Sequence, residues 1–71
     1  MRPLSAKKLI KVLEKNGFIL SRQKGSHMIF KNSATGIIVP VHLHGKNKPI
    51  FIGTFIAIVK QSKIPKNQWL L

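Results

Sequence analysis

The sequence predicts an α+β domain of two layers, ordered α-β-β-β-α, in which a three-stranded antiparallel sheet carries two helices on one face. Three observations lead there. Two segments with helical apolar spacing, 6–16 and about 50–62, flank three short segments of strand type, 18–23, 26–31 and 37–42. The strands are joined by Lys24-Gly25 and by Asn32 to Gly36, links too short for a crossover, so successive strands pair antiparallel. Apolar residues alternate along the second and third strands, which gives the sheet one face for a core.

The first helix opens at Ser5, a good N-cap, after Pro3, which discourages an earlier start. Leu9, Val12 and Leu13 form its apolar stripe, and Lys7, Lys8, Lys11 and Lys15 mark its wet side. Asn16-Gly17 is a stop signal. Phe18 to Gln23 is the first strand and Ser26 to Lys31 the second, with Met28 and Phe30 on one face and His27 and Ile29 on the other. The cluster Asn32 to Gly36 turns the chain into Ile37 to His42. Pro40 cannot donate to a ladder, so this third strand belongs at an edge. A basic loop, Leu43 to Pro49, leads to the second helix, whose expected stripe is Ile52, Phe55, Ile56 and Val59, with Ile58 outside it. Pro65 ends that helix, and Lys66 to Trp69 is expected to form a final turn that packs Trp69 onto the body.

At 71 residues there is room for a single domain, 1–71, at the small end for independent stability. A homo-dimer or a bound partner is therefore expected to supplement the core. With 13 Lys and Arg against one acidic residue, Glu14, the formal net charge is +12. Such a chain attracts polyanions, and its cations are spread over the body and not gathered in a tail. No apolar run approaches the roughly 20 residues of a membrane span. Met1 to Ser5 has no signal-peptide core, and there is no cysteine. The expected location is the cytoplasm, with no membrane partner.

One carboxylate and no thiol rule out paired-carboxylate hydrolysis, a Ser-His-Asp triad, a cysteine nucleophile and two-metal phosphoryl transfer. His27, His42 and His44 are a poor zinc site in so cationic a chain, so neither metal nor cofactor is expected. Histidine, lysine, serine and backbone groups remain. RNA supplies its own nucleophile, the 2′-hydroxyl, and an imidazole with nearby cations suffices to move the protons. His27, between Lys24 and Lys31 and next to Gly25-Ser26, is the candidate general acid/base. His42 shares its face if strands two and three pair as their alternation suggests, and then becomes a candidate phosphate contact or second proton carrier, with a solvated strand-end histidine the equally open reading. Lys24, Ser26, Lys31, His42, Lys46 and Lys48 are the candidate RNA contacts. On position alone His27 reads first as an ordinary half-buried strand residue, and Lys24, Lys31 and the small Gly25-Ser26 beside it narrow that gap. Three readings stay open: a ribonuclease, a non-catalytic RNA-binding module, and an interaction module for an acidic protein.

Several short motifs in order resemble the HicA family of small toxins from prokaryotic toxin–antitoxin systems. They are Gly17-Phe18 after the first helix, Gly25-Ser26-His27 with Phe30, Val39-Pro40-Val41-His42, and Gly53-Thr54-Phe55 with Ile58. The resemblance covers nearly the whole chain. It implies a double-stranded-RNA-binding-domain-like fold, mRNA interferase activity with His27 as the catalytic residue, and a HicB-like antitoxin that masks the site. The C-terminal Lys66-Asn67-Gln68-Trp69 departs from the family in lacking acidic residues.

Overall fold

A computed structural model describes residues 4–42 and 50–69. Helix α1 (Ala6–Lys15) begins where the Ser5 side chain accepts a hydrogen bond from the Lys8 amide at 3.4 Å. It buries Ala6, Leu9, Val12 and Leu13, one face of a 3.6-residue period, and leaves its lysines in water. Asn16 caps its end through backbone and side chain, the latter donating to Val12 O at 2.8 Å. Gly17 then takes a φ of +90°, the left-handed turn that glycine reaches without penalty.

Strands β1 (Phe18–Lys24), β2 (His27–Asn32) and β3 (Ile38–His42) form one antiparallel sheet in the order β1-β2-β3. The predicted element order and pairing are thus observed, each boundary within one or two residues. Gly25 and Ser26 make a two-residue turn, and Gly25 alone of the two has positive φ (+60°), the pattern of a type II′ hairpin. Phe18, Met28, Phe30, Val39 and Val41 point to the core. Pro40 sits on an edge strand as expected, and the Gln61 side chain donates to Ile38 O at 2.6 Å. A missing N–H and a covered carbonyl leave that edge a poor template for another strand.

Helix α2 (Ile52–Ser62) crosses β3 on the core side, and its buried face differs from the expected one. Phe55, Ile58, Val59 and Ser62 are buried, whereas Ile52 and Ile56 are 48% and 40% exposed. Apolar residues surround this helix, so periodicity alone could not choose its inner face; packing against β3 and Trp69 does. Ser62 Oγ donates to Val59 O and accepts from Ile64 N, which turns the chain through Lys63. A short 3-10 helix (Lys66–Trp69) then sets Trp69 edge-on against Phe55, with ring centroids 5.7 Å apart. Both helices lie on one face of the sheet, and among the described residues no helix lies on the other. Among the described residues no helix is long and apolar enough to cross a membrane.

One buried polar residue ties the layers together. Asn32 donates through its side chain to Asn16 O, at the end of α1. Its carboxamide oxygen accepts from the amides of Ala34 and Thr35 in the β2–β3 turn.

Candidate functional site

The site forms where the β1–β2 turn meets the end of β3. The Asn32 amide donates to Ile37 O at 2.9 Å, so even-numbered β2 residues carry the ladder to β3. The odd-numbered positions are then non-hydrogen-bonded pairs with β3, in which side chains stand closest. His27 and His42 are such a pair. Their rings stack with centroids 4.2 Å apart and planes 15° from parallel. The shared face expected for these two histidines is observed, and the contact is closer than the pairing pattern alone required.

Ser26, in the turn, completes the group. Its Oγ lies 2.9 Å from His42 Nε2; the hydroxyl donates when that nitrogen is bare and accepts when it carries a proton. On the other side of His27, Lys24 is its partner across β1. His27 thus stands on the central strand with a lysine on one flank and an imidazole on the other. The Gln23 side chain donates to Gly25 O at 3.1 Å and braces the turn. A Cβ added at Gly25 would meet nothing within 4 Å. The glycine is therefore needed here for its positive φ.

Arg22, Gln23, Lys24, His27 and Ile29 line a shallow cleft of about 170 Å³. Arg22 was not among the candidates. Unbroken alternation would place it on the same face as Phe18 and Leu20. Instead the β1–β2 register shifts between Leu20 and Arg22, so Leu20 opposes Phe30 on the core side while Arg22 opposes Ile29 on the open side. The two-residue turn was the available signal: counting back from Lys24 opposite His27 puts Arg22 opposite Ile29. Lys31 shares the open face but stands four residues along β2 from His27. Lys46 and Lys48, and His44 with them, lie outside the described residues.

The arrangement offers imidazoles for proton transfer, a hydroxyl, and two cations at the cleft. The chain's sole acidic side chain, Glu14, is on α1 in the other layer. A phosphodiester entering the cleft therefore meets positive charge without a competing carboxylate.

Fold and site together define a small, strongly basic two-layer α+β domain with an imidazole pair on its open sheet face. The sequence matches, over residues 6–64, the model of a family described as HicA toxin of bacterial toxin-antitoxin. The chain belongs to the HicA toxin family and is the toxin half of a toxin–antitoxin pair. The matched span runs from the start of α1 past α2 and contains Ser26, His27 and His42. No individually curated protein matches the chain.

Proposed function

We propose that this toxin is a metal-independent endoribonuclease, an mRNA interferase, with His27 as its general acid/base. The reading is carried by one observation: His27 lines a cationic cleft and is backed by a second imidazole whose Nε2 is already engaged by Ser26. In the proposed reaction the 2′-oxygen attacks the adjacent phosphorus and the 5′-oxygen leaves. His27 takes or returns the proton, and Arg22 and Lys24 offset the charge that builds on the phosphorane oxygens. The products are a 2′,3′-cyclic phosphate and a 5′-hydroxyl. In this reading His42, held by Ser26, fixes the plane of the His27 ring; Ser26 and His42 are proposed as further phosphate contacts, with Lys31 holding the strand further along. Lys46 and Lys48 are proposed to add further RNA contacts. Action in the cytoplasm and masking of the site by a HicB-like antitoxin, in a hetero-oligomer, belong to the same proposal.

The test compares RNA cleavage by wild type and His27→Ala, with an RNA carrying a 2′-deoxy residue at the cut. General acid/base catalysis is worth about 10²–10⁴-fold, so the variant should lose activity by that factor while still binding uncleaved RNA. The 2′-deoxy substrate should resist cleavage. Binding without cleavage by wild type, in every buffer, would leave the alternative, a non-catalytic RNA-binding module of the same fold.

A further inference from the structure

The open face of the sheet is ordered in three rows. Lys24, His27 and His42 form the first; Arg22, Ile29 and Pro40 the second; Ile19, Lys31 and Ile38 the third. Successive rows on β2 and β3 are two residues apart, roughly 7 Å. Among the described residues no helix covers this face, and Ile19 is 63% exposed and Ile38 48% exposed, with Pro40 exposed between the imidazole pair and Ile38. Ile29, Pro40 and Ile38 lie side by side on this face among cations, an apolar strip that fits an occupant with both apolar faces and negative charge. The charges say which. Each row contributes a cation, and the face carries no carboxylate. A second copy of a +12 chain is repelled. A nucleic-acid strand satisfies both features, since its phosphates seek the cations and its base faces cover apolar surface. A duplex does not, because its base faces are stacked inside and it is read through its backbone and grooves.

We propose that this face is a track for single-stranded RNA, with an unpaired base lying on Ile29 and Pro40 beside the histidines and the next on Ile38. The register shift in β1 serves the same track, because it turns Arg22 outward beside Ile29. The inference rests on the ribonuclease reading in placing the cut at the first row, and adds that the substrate must be unpaired over the following rows. It runs against the fold analogy, by which a double-stranded RNA would be the expected ligand.

The experiment measures fluorescence anisotropy with a short mixed-sequence 2′-O-methyl oligonucleotide, alone and annealed to its complement. Wild type, Ile38→Ser, Ile19→Ser and Ile29→Thr/Ile38→Ser are compared, with folding checked by circular dichroism. The single strand is expected to bind at least tenfold more tightly than the duplex. The double variant should lose most of that preference and, on cleavable RNA, raise KM with little change in kcat. Equal affinity for duplex and single strand overturns the proposal. So does wild-type RNA binding by the folded variants; if they then escape neutralisation by the antitoxin, the face is a protein-docking surface instead. Ile19 and Ile38 are exposed, so their single variants decide the matter if the double variant does not fold. Because binding is read without cleavage, loss of the ribonuclease reading and loss of the track give different results.

Discussion

His27 and His42 stack face to face across β2 and β3, and His42 is itself tethered to Ser26 in the turn that precedes His27. The three residues therefore close a loop: turn, strand end and central strand fix one another. A stacked neighbour leaves the ring edge of His27, where its nitrogens are, open to substrate. On this geometry His42 is a positioning residue. Misplacing a reacting group can cost up to about 10²-fold. His42→Ala should lower kcat by about 10–100-fold, and His42→Phe, which keeps a flat ring, should restore most of it. Ser26→Ala should cost less than His42→Ala, and the double Ala variant no more than His42→Ala alone. If His42→Phe is as inactive as His42→Ala, the second imidazole carries a proton and does more than hold a ring.

Arg22 enters the cleft through the register shift, so its charge should be felt by RNA more than that of an equally exposed lysine in the other layer. Each phosphate contact on a single strand contributes about 0.7 to the slope of log affinity against log salt concentration. Arg22→Gln should flatten that slope by roughly this amount, whereas Lys7→Gln on α1 should leave it unchanged. Equal changes in the two variants would mean that RNA reads net charge and not this face.

Much of the fold was legible because two local rules agree. Alternation in β2 and β3 sorted Met28, Phe30, Val39 and Val41 from His27, Ile29 and His42, and the short links left no topology but neighbouring antiparallel strands. The shared face of His27 and His42 followed from the same alternation, while their direct pairing depends on a register that alternation does not fix. Other features depend on tertiary packing. In α2, isoleucines at 52, 56 and 58 are chemically alike, and only contact with the sheet selects Ile58 for the core. The register shift near Ser21 has no signature at Ser21 itself, and Arg22 is placed on the open face only by counting back from the two-residue turn. Asn32 read as a turn residue because its sequence neighbours are polar; in the fold it is buried and packed beside Gly17, where a Cβ would approach Asn32 Nδ2 to 3.3 Å.

That burial makes Asn32 a structural residue with a measurable role. Asn32→Ala removes the acceptor of two turn amides and the donor to Asn16 O. Leaving buried polar groups unpaired costs about 1–3 kcal/mol each where water cannot reach them, and the turn is partly wet, so a net loss of about 2–3 kcal/mol is expected. Urea denaturation should show a lower midpoint at an unchanged m-value, with RNA binding per folded molecule intact. A loss of binding without a loss of stability would move Asn32 from scaffold to site.

Lys63 gives the opposite sign. Among the described residues it is the one non-glycine with positive φ, at 61°, where it ends α2 in the left-handed conformation. That conformation costs a residue bearing a Cβ roughly 1–2 kcal/mol, part of which glycine gives back through its freer unfolded chain. Ser62 already completes the turn by bonding Val59 O and the Ile64 amide, so the backbone geometry does not depend on the lysine side chain. Lys63→Gly should therefore stabilise the fold by about 0.5–1 kcal/mol, seen as a higher thermal midpoint. Lys63 is far in sequence from the histidine pair and on the helix layer, so cleavage by the folded variant should match wild type. A destabilised Lys63→Gly would show that the lysine stem contributes packing worth more than the backbone strain it carries.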